Sequence, residues 1–270
     1  MNTLGGIAAD IGQSLVAPGL DTRTPYSSRL SARSALFTDL QILLDDHAEP
    51  HSPEGYRKLV IEENCLARQS TAARKKLWAE LRKRYILDRS RPLYRAFWRE
   101  WHSSKSDPER GLTAYILLAL NDRLVADLGT RWLYAHIRRA PAELRLEEVR
   151  NFIRRAGETD HPEVKRWTED TQLHIAQHYM ASIRDFGLAR GKNKKLTLRP
   201  ALYGAPVRLL VRALRLARVN DLEILGSTVF RLLGLEGPEV IDVLGELNQR
   251  GELRFRMQAD VVELDIGGGE

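Results

Sequence analysis

The chain has 270 residues, enough for two or three small domains with a real apolar core. Its net charge of +6 is only mildly basic, and scarce strand-like alternation makes the expected class mostly α. A single cysteine, Cys65, excludes an intramolecular disulfide and makes the cytoplasm the expected compartment, while the longest apolar run, 112–120, is too short to cross a bilayer.

Residues 1–29 read as a loosely ordered arm. They lack the positive start of a signal peptide and break on Gly5, Gly6, Pro18 and Gly19. Helical periodicity begins at 31–44 and resumes at 56–66. Ser70 or Thr71 then caps a charged helix running to Tyr85, with Leu77, Trp78, Leu81 and Tyr85 on its buried stripe. Further helices fit 92–102 and 108–140, the second broken near Gly129. Residues 30–140 therefore form one expected helical domain, and Pro141 marks its end.

After Pro141 the pattern is a helix at 146–156, a short helical turn after Pro162, and a long helix starting from a Thr168 cap. Ala176, Tyr179, Met180, Ile183 and Phe186 share one buried stripe of that helix. Gln172, His174, Gln177 and His178 fall off the stripe, and Gly187 supplies a left-handed terminus. Two short apolar arms, Leu188 with Ala189 and 196–198, then flank a Gly- and Asn-containing turn rich in lysine. Helices followed by a basic hairpin are the order of a winged helix-turn-helix, expected over 141–203. A weaker repeat of the same order, three helices and a hairpin, suggests a second winged helix over 204–266, with 267–270 as a tail.

Between Arg190 and Arg218 there are nine basic residues and no Asp or Glu. A hairpin tip has no folding reason to be so positive, whereas each cation that neutralises a phosphate releases condensed counterions. The expected phosphate contacts are Arg190, Lys192, Lys194, Lys195 and Arg199, with Arg208 and Arg212 extending the patch. Gln172, His174, Gln177 and His178 are expected to face the major groove, with Arg184 beside them. Arg74, Lys75, Arg82 and Lys83 could form a second basic patch, either along phosphates or against an acidic partner.

No catalytic set is visible. Glu62, Glu63 and Asn64 are consecutive on a helix and do not converge. Neither a phosphate-binding glycine loop nor a nucleophile elbow occurs. His174 and His178 have the spacing of a zinc pair but lack an obvious third ligand and the glutamate of a metalloprotease motif, so neither metal nor other cofactor is expected.

Residues 60–85, with Glu63, Asn64, Leu66, Ser70, Ala73 and Arg74 as the matching positions, resemble the opening signature of the BrxA family of bacterial BREX phage-defence systems. Trp167, Thr171, Arg184, Asp185, Phe186, Gly187, Leu188 and the lysine-rich turn resemble the second half of that pattern, so the likeness spans about 30–200. The resemblance implies a NusB-like helical N-terminal domain and a non-enzymatic protein that binds double-stranded DNA beside other BREX components, such as the methyltransferase. It also leaves open an RNA-binding NusB-like factor and a protein-protein scaffold of the defence complex.

Overall fold

Polar side chains set where several helices of this chain begin. The computed structural model describes residues 17–45, 47–259 and 261–267. The expected arm over 1–16 and most of the 267–270 tail lie outside them. Helix α1 spans Phe37–Asp45 and α2 Pro53–Arg57, the latter running into a π turn at Lys58–Glu62. The Ser70 hydroxyl accepts from the Ala73 N–H and opens α3, Thr71–Tyr85. Helices α4, Pro92–Ser103, and α5, Asp107–Asn121, follow, with Ser106 capping α5.

The long helical run does not break at Gly129, as its sequence suggests, but at Asp122. The Asp122 Oδ1 accepts from the Leu124 and Val125 N–H groups at 3.0 and 3.3 Å and restarts the chain as α6, Arg123–Asp127. Gly129 lies inside the π turn Leu128–Leu133, which leads into α7, Tyr134–Ile137. A Cβ there would stand 2.3 Å from the Tyr115 hydroxyl and 2.4 Å from a Leu232 methyl, so this glycine serves close packing rather than a helix end.

Strand β1, Glu143–Leu144, precedes α8, Leu146–Glu158. A 3-10 turn at Pro162–Arg166 leads to α9, Glu169–Asp185, which opens on the expected Thr168 cap. Strands β2, Ala189–Arg190, and β3, Lys195–Thr197, form the expected hairpin, and β1 joins them antiparallel in the order β1-β3-β2. Then come α10, Gly204–Leu216; α11, Asp221–Leu225; a 3-10 turn at Thr228–Leu233; α12, Pro238–Gln249; and the hairpin of β4, Arg254–Gln258, with β5, Val261–Asp265.

One hydrophobic core runs from Ala17 to Ile266 without a gap at 204. Helix α10 packs against α4 and α5, and its Ala205 N–H donates to Glu109 Oε1 at 3.1 Å. The turn at Thr228–Leu233 packs on the π turn at Leu128–Leu133. The elements after 204 are thus built into the helical body that precedes them.

Residues 17–30 also differ from the expected loose arm. They form a strap across α5, α6 and the 158–166 segment. The Tyr26 hydroxyl donates to Asp127 Oδ2 at 2.7 Å, its N–H donates to Glu163 Oε1, and its ring stacks on His161 with centroids 3.5 Å apart. Burial, then the Asp127 carboxylate, push the Tyr26 phenol well above its ordinary range. The Ser27 hydroxyl donates to Asp122 Oδ2 at 2.6 Å. Burial raises the Asp122 carboxyl above the usual carboxylate range, and the Ser27 hydroxyl opposes that shift. Gly19 lies so close to α5 that a Cβ would stand 2.0 Å from the Ala119 carbonyl oxygen. Backbone cannot swing aside as a side chain can, so Gly19→Ala is expected to cost about 1–3 kcal/mol, measured by chemical denaturation.

Candidate nucleic-acid interface

The β2–β3 hairpin owes its tight turn to Gly191, at φ +97°, where a Cβ would stand 2.1 Å from the Lys194 carbonyl oxygen. Ala189 pairs with Thr197 and Arg190 with Leu196, so Lys192, Asn193 and Lys194 form the tip. Arg190, Lys192, Lys194 and Arg199 are exposed, and Lys195 is half-buried. The Lys195 ammonium donates to the Lys192 carbonyl at 3.0 Å, and burial, then the charge of Arg184, lower its pKa. Lys194 reaches Glu143 on β1 at 3.2 Å while remaining mostly exposed. That carboxylate is an acidic neighbour the linear charge run did not reveal, because β1 lies some fifty residues upstream.

On α9 the exposed face carries His174, Gln177 and Arg184. Arg184 lies in the last turn, where a cation complements the helix dipole, and donates to Asp185 Oδ1 at 2.8 Å. Two expected groove-facing residues lie elsewhere. His178 is half-buried against the strap, and its Nδ1 donates to the Leu30 carbonyl at 2.6 Å. Gln172 is also half-buried and donates to the Trp167 carbonyl at 3.4 Å. Glu169 and Asp170 are exposed at the start of the helix, an acidic end that suits the dipole.

Arg208 and Arg212 do not belong to this surface. Arg208 is buried, with its Nε on Glu100 Oε2 at 2.8 Å and its Nη1 on Glu252 Oε2 at 2.7 Å. Arg212 places its Nε on Glu100 Oε1 at 2.8 Å. Arg208 spends its charge inside the molecule, because a buried cation is retained only where carboxylates surround it, and the half-buried Arg212 shares the same Glu100.

The possible second patch on α3 is partly formed. Lys75, Arg82 and Lys83 are exposed, whereas Arg74 is half-buried and donates to the Ile61 carbonyl at 2.7 Å. Arg84, on the same helix, is buried with Glu80 and the carbonyls of Arg29, Arg33 and Ser34. Among the described residues no three His, Cys, Asp or Glu side chains come together as a metal site, and no helix is long and apolar enough to cross a membrane.

The BrxA family model matches residues 24–213, which takes in the strap from Thr24, the hairpin and most of α10. The chain belongs to the BrxA family. No curated protein gave a match. Membership in BrxA implies a BREX-associated role and association with BREX components. The matched stretch ends within α10, consistent with that helix being part of the same body as α4 and α5.

Proposed function

We propose that this BrxA-family chain is a non-enzymatic, largely sequence-tolerant double-stranded DNA-binding component of its BREX system, positioning DNA for partners such as the methyltransferase. The observation that carries the reading is the exposed cationic hairpin, with Arg190 on its first strand, Lys192 and Lys194 at its tip and Arg199 beyond it, in a stretch free of acidic residues from 190 to 218. The strand order β1-β3-β2 with α8 and α9 between the first and second strands supports a winged helix over 141–203, with the hairpin as its wing. The helices of 30–140 would then be the NusB-like part.

The two ends of α9 favour phosphate contact over base reading. Recognition helices read bases mainly from their N-terminal residues. Here that end carries Glu169 and Asp170, which repel the polyanion, while Arg184 sits at the other end beside Lys195. Phosphate contacts position a protein on a duplex without carrying sequence information.

The test is a salt-titrated binding assay against unmodified duplex DNA and a structured RNA of matched length. With about five phosphates neutralised, the log-log salt slope on duplex DNA should be about −4 to −5, and nearly the same for unrelated sequences. Absence of duplex binding at low salt would sink the reading; preference for the RNA would move the function to RNA.

A further inference from the structure

Arginines from α4 and α10 converge on a cleft outside the hairpin surface. Arg95 and Arg99 on α4, Arg212 and Arg215 on α10, and Arg218 just beyond it line a space of about 510 Å³, closed at one side by residues 265–267. That volume lies within the usual range for small-ligand sites. Ala96, Leu216 and Ile266 contribute apolar surface to the same lining. The carboxylate in the lining is Asp265, whose Oδ1 already accepts from the Gly267 N–H at 2.9 Å.

Two of these arginines are held in place. Arg212 donates through Nε to Glu100 and through Nη2 to the Ile266 and Gly267 carbonyls at 3.0 and 2.8 Å. Arg215 donates through Nε and Nη2 to Asp221. A guanidinium has five N–H donors, so these bonds leave the Nη1 group of each for a ligand. Arg95 and Arg218 are exposed and carry no carboxylate ion pair among the described residues, and Arg95 donates through Nη1 to the Arg89 and Ser90 carbonyls at 3.1 and 2.9 Å, which leaves its Nε and Nη2 groups for a ligand. Like charges crowded beside an apolar wall repel one another, and an anion between them relieves that repulsion. Fixed arginine forks match phosphate oxygens in geometry as well as charge.

We propose that this cleft binds a nucleotide, with its phosphates on Arg95, Arg212, Arg215 and Arg218 and its ring against Ala96, Leu216 and Ile266. The nucleotide is either free or the end of a nucleic-acid strand, and the site does not depend on duplex binding at the hairpin.

Calorimetric titration of the full chain separates these cases, using ATP, inorganic triphosphate, a 5′-phosphorylated single-stranded pentanucleotide and a glutamate-rich peptide. ATP or the pentanucleotide should bind more tightly than triphosphate, and whichever of the two binds better identifies the source. The double variant R95Q/R218Q, which removes two exposed cations and should leave the melting temperature unchanged, should weaken that binding by about a hundredfold, roughly tenfold for each lost charge-assisted contact. Replacing the three hairpin lysines should leave it intact, so failure here is distinct from failure of duplex binding. The proposal is overturned if no phosphate probe binds at low salt, if the double variant binds as the parent does, or if triphosphate matches ATP. Tighter binding of the acidic peptide than of any phosphate probe would overturn it in favour of a protein partner.

Discussion

Replacing Glu100 by Ala should lower the stability of the folded chain by about 3–5 kcal/mol, because the substitution strands two arginines without their shared counter-ion. Glu100 is 1% exposed and takes Arg208 on one oxygen and Arg212 on the other. Ser103, one turn along α4, accepts from Arg208 Nη2 at 2.9 Å, and Glu252 accepts from its Nη1. Arg212 continues the chain of bonds to the Ile266 and Gly267 carbonyls. One carboxylate thus ties α4, α10, the turn before β4 and the end of β5 together. A glutamine at 100 keeps an acceptor for one arginine but turns an amide N–H₂ toward the other, so Glu100→Gln should cost nearly as much. Replacing Glu100, Arg208 and Arg212 together by apolar residues of similar volume should be far milder than Glu100→Ala, since desolvation of the ions offsets much of their attraction. Urea denaturation of the variants measures each difference, and equal stability of Glu100→Ala and the parent would refute the account.

The largest effect on binding is expected from Lys192, Lys194 and Lys195 replaced together by Ala. Each neutralised phosphate contributes about 0.9 to the magnitude of the log-log salt slope, so three lost contacts should reduce it by nearly 3. At about 0.1 M salt that corresponds to a loss of affinity on the order of 10²-fold or more, alike on every duplex sequence. Two of the three side chains are exposed and none is an apolar packing element, so the melting temperature should stay near that of the parent. Glu143→Gln should act in the opposite direction, since it removes the carboxylate 3.2 Å from Lys194. Unchanged affinity in the triple variant would show that the hairpin is not a wing on DNA.

Much of the helical plan was legible because its signals are local. Ser70 and Thr168 cap the helices they were expected to cap, Gly187 adopts the positive φ that ends α9, and the whole apolar stripe Ala176, Tyr179, Met180, Ile183 and Phe186 is buried. Asp122 beat Gly129 as the break because a carboxylate that captures two N–H groups restarts a helix, whereas the glycine there answers to Tyr115 and Leu232. Strand β1 has two residues, too few for any alternation to register. The arginines were the main failure of the linear reading. Arg208 and Arg190 look alike in a count of charges, yet the partner that buries Arg208 lies 108 residues away. The same separation hid the cleft, whose cations come from two helices that no local pattern connects. His178 was misread for a related reason, since the strap that claims it begins at residues taken for a loose arm.

The strap has a consequence for the order in which this molecule is completed. Tyr26 meets Glu163, 137 residues further on. At about 5–20 residues per second, a translating ribosome separates the emergence of the two by on the order of ten seconds. During that interval Tyr26 has no His161 to stack on and no Glu163 to accept its N–H. The strap can meet α5 and α6 through Asp122 and Asp127 as soon as those helices are made, but its contacts with the 158–166 segment close only after α8 has emerged.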